Sequence, residues 1–235
     1  MSSSGGSRLD RAIDKHLMSS MDARGFSLKP NPRGPDTGWF VWDRQLPHNL
    51  SIAIEVISSG IGRGSAIQLD GIIHLVSELV VAKFQSMPVE FADSLPIKRF
   101  SIDSAIHLWT PEEKRNRSIV ARSVDVESVC NEFSETFVTR AIKWAAERDS
   151  SAKLLRVAKH RERVDRFWLN ISPTTVRGVA LHLATIGEYK LTRKLMRWYL
   201  RKPIGFNTGI DSPERAREFD EWLVFEFPDY ARARR

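Results

Sequence analysis

The sequence predicts an α+β fold: a mostly antiparallel sheet of four or five strands after an N-terminal helix, followed by a helical C-terminal half with an αα-hairpin. Three observations predict it. Apolar residues recur every four positions at the start, every second position between residues 39 and 124, and at helical spacing again from Asp125 onward. Strands grouped together and then helices grouped together segregate into layers, whereas an alternating order would point to a parallel α/β sheet. The chain also has 235 residues, 42% of them hydrophobic and 28% charged, enough to bury a core without disulfides or metals.

Leu9, Ile13, Leu17 and Met21 form the stripe of the first helix, which Gly25 closes as a left-handed cap. The Ser/Gly-rich residues 1–7 before it are expected as a disordered tail. Lys29 to Gly38 holds three prolines and two glycines and reads as loop. Trp39-Phe-Val-Trp42 is a short strand. Leu50, Ile52, Ile54 and Val56 alternate with Ser51, Ala53 and Glu55, the pattern of a half-buried strand. The stretches Ile67–Leu75 and Phe100–Leu108 alternate in the same way, and Ser118–Val124 fits a last strand. Val76–Phe84 suits a short helix and Pro88–Pro96 a loop. Hairpin-length connections between strands imply antiparallel pairing.

Val126, Val129, Cys130, Phe133, Phe137, Ala141 and Trp144 form one continuous helical stripe, with Asp125 placed to cap it. A second helix is expected over 152–169. Ser172-Pro173 is a start signal and Gly187 a stop, and residues 188–201 then form the partner of an αα-hairpin. Ser212-Pro213 repeats the start signal for a final helix stopped near Pro228. The expected organisation is a tail at 1–7, an α+β domain at 8–150, and a helical region at 151–235 packed on it.

Several function classes are excluded or disfavoured. One cysteine, Cys130, rules out a disulfide framework and a multi-cysteine zinc site. No apolar run approaches the ~18 residues that span a bilayer, and Met1 to Ser7 lacks the features of a secretory signal. A cytoplasmic, membrane-free protein is the expectation. Cys130 sits on an apolar stripe, which suits a core thiol and not a nucleophile. Gly60-Ile-Gly-Arg-Gly64 is followed by an alternating strand, so a hairpin turn fits it better than a phosphate loop, which needs a helix there. No serine lies in a nucleophile elbow. His16, His48, His160 and His182 have no ligand-like spacing, and His182 reads as a satisfied helix residue. Trp144 and Trp222 continue apolar stripes into the core, and Trp39 and Trp42 are expected to pack, with a partner surface as their other use.

One constellation points towards chemistry. Asp70-Gly-Ile-Ile-His-Leu75 and Asp103-Ser-Ala-Ile-His-Leu108 share the pattern Asp-x-x-Ile-His-Leu. Even spacing puts each Asp and His on one face of its strand. Side by side, Asp70, His74, Asp103 and His107 could hold a divalent metal or act as acid and base; otherwise both strands simply turn a polar face outward.

The charge is uneven. The net charge of +7 is a sum of unlike parts: residues 151–202 carry 13 Lys+Arg against Glu162, Asp165 and Glu188, a net of +10. Lys190, Arg193, Lys194, Arg197 and Arg201 fall on one helical face, with Leu191, Leu195 and Trp198 assigned to the opposite side. Lys153, Arg156, Lys159, Arg163 and Arg166 cluster on the expected preceding helix. Like charges at such spacing repel by a few tenths of a kcal/mol per pair unless an anion meets them. An acidic protein surface is the expected partner and nucleic acid the alternative; the bland reading is a solvated face.

The chain also resembles a group of uncharacterised bacterial α+β domains. The resemblance rests on the helix ending in Gly25-Phe26, on Trp39-Phe-Val-Trp42, on Ile67-Gln-Leu-Asp-Gly-Ile-Ile-His-Leu75, on the long helix from Asp125, and on Val179-Ala-Leu-His-Leu-Ala-Thr-Ile-Gly-Glu188. Such domains are found beside bacterial toxins, which implies an immunity or antitoxin role and no catalytic residues. The expectation is therefore a non-catalytic binding protein without cofactors, with an Asp/His metal-dependent enzyme as the remaining alternative.

Overall fold

The computed structural model describes residues 4–29, 39–61, 66–85, 103–106, 119–120, 123–159, 163–164, 167–168, 173–201 and 212–234. Helix α1 (Ser4–Asp22) ends at Gly25, whose φ of +75° makes it a left-handed cap. Phe26 N–H reaches back to Met21 O at 3.1 Å and Gly25 N–H to Asp22 O at 2.9 Å, the paired bonds that satisfy orphan carbonyls at a helix end. The helix takes in Ser4 to Ser7, expected as part of the tail, although Gly5 and Gly6 are poor helix formers.

The sheet follows. Strands β1 (Ser27–Lys29), β2 (Trp39–Leu46), β3 (Leu50–Ile61), β4 (Ala66–Ser77) and β5 (Asp103–Ile106) lie in that order, and β6 (Ile119–Val120) also pairs with β4. The sheet is antiparallel: β1 meets β2 with Ser27 opposite Asp43, and β4 meets β6 with Ile67 opposite Val120. Between β2 and β3 both His48 and Asn49 have positive φ, 63° and 56°, as a tight hairpin turn requires.

Strand β3 is more buried than its alternation suggests. Leu50, Ile52, Ile54 and Val56 are inside as expected, but Ser51, Ala53 and Glu55 are buried as well. A central strand with both neighbours in place and both faces covered leaves no solvated side, and period-2 polarity cannot report that covering.

Among the remaining expectations, β4 continues directly into α2 (Glu78–Gln85), and Ser77 Oγ accepts the N–H of Val80 at 3.3 Å to cap it. The last strand is shorter than expected: Ser123–Asp125 forms a 3₁₀ turn leading into α3 (Val126–Ala146). The loop expected at Pro88–Pro96 lies outside the described residues.

The apolar stripe of α3 is in the core: Val126, Cys130, Phe133, Phe137 and Ala141 are buried, and Trp144 is half-buried. Phe133 and Phe137 stack with ring centroids 5.2 Å apart. The Phe137 ring lies so close to Gly71 of β4 that a Cβ there would collide with it. Cys130 Sγ sits 3.9 Å from Ile13 O of α1. Burial pushes its thiol up to about 12, with the Asp14 carboxylate adding to the rise. It is a core residue, unfit as a nucleophile.

The helix expected over 152–169 is corrected. Helix α4 (Ser151–Ala158) ends at Lys159, and a two-stranded sheet of β7 (Arg163–Val164) and β8 (Phe167–Trp168) follows, with Arg163 opposite Trp168. The stripe Leu154, Leu155, Ala158 needs its next apolar residue at 161 or 162, where the chain has Arg161 and Glu162. The Val, Phe and Trp beyond are better suited to strands.

The hairpin stands as expected. Helix α5 (Pro173–Thr185) ends at Gly187 with φ +80°, and α6 (Tyr189–Arg201) packs against it. Glu188 N–H to Leu183 O at 2.8 Å and Gly187 N–H to Ala184 O at 3.1 Å repeat the helix-end bonding seen at Gly25. Ser212 Oγ accepts the N–H of Arg215 at 3.2 Å and caps α7 (Pro213–Glu226). Pro228 stops α7 but also opens a further helix, α8 (Pro228–Arg234), because proline suits a first helical position as well as it blocks an interior one.

The chain divides into two compact units. One comprises Met1–Gln45, Ser51–His74 and Ala105–Ala145; the other comprises Leu46–Leu50, Leu75–Ser104 and Ala146–Arg235. The helical unit therefore takes in 46–50 and 75–104 besides the C-terminal region. For 75–104 the reason is visible in α2, which packs on α5.

Candidate functional site

Helix α6 is strongly two-faced. Thr192, Leu195, Met196 and Tyr199 are buried on one side, and Lys190, Lys194, Arg197 and Arg201 are exposed on the other. Arg193 and Trp198 lie half-buried between them. Lys190, Arg193, Lys194, Arg197, Trp198 and Arg201 together line an open groove of about 560 Å³. Trp198 is thus in the wall of the basic groove, not opposite it. It follows Lys194 by one helical turn, so it borders the cationic row, and a half-apolar ring fits that border.

Five cations line this groove. Among the described residues no ion pair involves Lys190, Arg193, Lys194, Arg197 or Arg201. The Arg193 Nε is buried and meets no acceptor there. Lys159, at the end of α4, extends the groove: its ammonium stands 5.6 Å from the centre of the Trp198 ring. Burial lowers the Lys159 pKa, and the nearby Lys194 charge lowers it further. The Lys194 charge this close to the Lys159 ammonium forms a local surplus that an oxyanion would relieve.

The other predicted cations divide. Lys153 is neutralised, since its ammonium lies 2.8 Å from Asp149 Oδ1 and 2.7 Å from Ala146 O. Arg156 is exposed on α4. Arg163 is in β7 and not on a helical face, which corrects its assignment, and Arg166 lies outside the described residues.

The Asp/His constellation is only partly described. Strands β4 and β5, which carry Asp70 and Asp103, are sheet neighbours, whereas His107 lies outside the described residues. His74 is buried, its Nε2 3.1 Å from Glu55 Oε2 of β3. That buried pair was not legible, because Glu55 occupies a position that alternation assigns to water. Among the described residues no group of His, Cys, Asp and Glu could hold a metal ion.

Two further buried polar pairs were missed. His182 Nδ1 lies 2.9 Å from Ser77 Oγ, and burial pushes this histidine down to about 4, with His48 acting in the same direction. Tyr230 OH donates to Asp220 Oδ1 at 2.5 Å, and Arg234 reaches Asp220 Oδ2 at 3.1 Å. Burial, with Asp220 beside it, raises the Tyr230 pKa well above its ordinary value.

Comparison with known proteins adds no relative. No protein family matches this chain, and no curated protein or solved structure does. None of the described helices is long and apolar enough to cross a membrane.

Proposed function

We propose that this protein is a non-catalytic binding protein, of the immunity or antitoxin kind, that docks an acidic protein surface into the groove of α6. The carrying observation is the row Lys190, Arg193, Lys194, Arg197 and Arg201, which lines one groove with no acidic partner among the described residues. Like charges in a row repel one another, so a row left open is suited to opposite charges brought by another molecule. Arginine forks donate bidentately to carboxylates, and Trp198 supplies an apolar anchor within the rim of cations.

Trp198 also favours a second reading, in which single-stranded nucleic acid lies along the groove with a base stacked on the indole. The two separate by experiment. The chain is titrated with poly-L-glutamate and with a single-stranded oligonucleotide at two salt concentrations, and captured partners are tested for survival of nuclease. Binding of polyglutamate and nuclease-resistant capture support the acidic-protein reading. Preference for the oligonucleotide, with steep salt dependence, replaces it by the second. Charge reversal at the exposed Lys190, Lys194 and Arg197 should abolish either interaction while the fold survives. Unchanged binding would overturn both.

A further inference from the structure

The helical unit contains a second concavity, unrelated to the basic groove. The hairpin turn at 48–50, the start of α4, the end of α5 and the start of α6 enclose about 630 Å³, the size of a small-molecule site. Leu50, Leu154, Ile186 and Leu191 provide its apolar lining.

Its polar groups differ in sign from place to place. His182 is 1% exposed and lies in the wall. Ser77 Oγ already accepts the Val80 N–H, so its own proton needs an acceptor, and His182 Nδ1 at 2.9 Å is within reach. This places the proton of the neutral imidazole on Nε2, which has no hydrogen-bond partner among the described residues. The wall thus offers a fixed N–H donor. Close by is the start of α4, where Ser150 takes the N–H groups of Lys153 and Leu154, leaving the first amides, Ser151 and Ala152, at the positive end of the helix.

Carboxylates supply the opposite sign. Asp149 is engaged by Lys153 at 2.8 Å, whereas Glu188 is exposed and forms no ion pair among the described residues. A simple anion in the cavity would face Glu188 unfavourably. A simple amine would leave the His182 N–H and the α4 amides without an acceptor.

We propose that this cavity binds a small zwitterion of the α-amino-acid class with an apolar side chain: its carboxylate meets His182 Nε2 and the first turn of α4, its ammonium meets Glu188, and its side chain lies on the leucines. The site shares no lining residue with the α6 groove.

The test is calorimetry and thermal melting of the full chain with L-leucine, L-isoleucine, L-methionine and L-phenylalanine. 3-Methylbutylamine and 4-methylpentanoate, which lack one charge each, serve as comparators. At least one amino acid should bind and raise the melting temperature, with both comparators about tenfold weaker or more. Glu188→Gln should keep the melting temperature of the free protein and weaken amino-acid binding by about the same factor. Ala152→Trp, which fills the cavity from an exposed position, should abolish it. Absence of binding by every amino acid at millimolar concentration, equal binding of the amine or the acid, or an unaffected Glu188→Gln variant would each overturn the proposal.

Discussion

Helix α6 and the pair α7–α8 are both rich in arginine, yet they treat their charge in opposite ways. On α7 and α8 three arginines have an acid within reach: Arg217 with Glu214 at 3.2 Å, Arg232 with Asp229 at 2.6 Å, and Arg234 with Asp220 at 3.1 Å. On α6 the row from Lys190 to Arg201 has none among the described residues, although the two regions pack together. Composition cannot separate them. What separates them is whether each cation finds a partner at three or four residues along its own helix or in the core, and α6 offers neither: its i−4 and i+4 neighbours are cations or apolar residues.

The contrast can be sharpened first by pH. His182 is held neutral, so below its ordinary value of 6.5 the unfolded chain binds a proton that the folded chain refuses down to about 4. Stability therefore falls as pH drops through that window, by roughly 3 kcal/mol if the whole shift is realised. His182 does not line the α6 groove, so anion binding there should persist until the fold itself fails. Urea melts between pH 7 and 4 should show this slope in the wild type, and a His182→Gln variant should lack it.

The next largest effect concerns the partnered side. Asp220→Ala leaves the buried Tyr230 hydroxyl without its acceptor and Arg234 without its acid. It should cost about 2 kcal/mol in chemical denaturation while leaving polyanion binding at the α6 groove intact. If binding fell in step with stability, the two regions would not be independent in the way the ion pairs suggest.

The smallest effect is of opposite sign. Lys194→Gln removes the charge that helps to lower the Lys159 pKa. It should raise stability by about 0.3 kcal/mol at low salt, and the gain should vanish near ~1 M salt, where charges are screened within about 3 Å. A loss of stability would mean that Lys194 has a partner within the fold and that the groove is not open.

Much of the fold was legible because its signals are local. Gly25 and Gly187 mark helix ends through their left-handed φ, and Ser212-Pro213 starts α7 through a side-chain cap and a preset φ. Errors occurred where local signals agreed with two outcomes. Arg163 has helical company on both sides in sequence, but the apolar row of α4 has no successor after Ala158, and the chain turns to short strands. Pro228 reads equally as a stop and as a start. The basic groove was half legible: the cationic row follows from spacing, whereas the entry of Lys159 and Trp198 into it depends on how α4 packs against α6.

The sequence by itself determined the class of fold, the segregation of strands from helices, the αα-hairpin and the concentration of positive charge in residues 151–202. These depend on periodicity and on residues acting on their own backbone. Tertiary structure alone decided that Glu55 meets His74 and that Ser77 meets His182. Each is a pairing between side chains brought together by packing, and residues 19 and 105 positions apart are placed within 3.1 Å or less. No pattern of spacing along one element encodes such a distance.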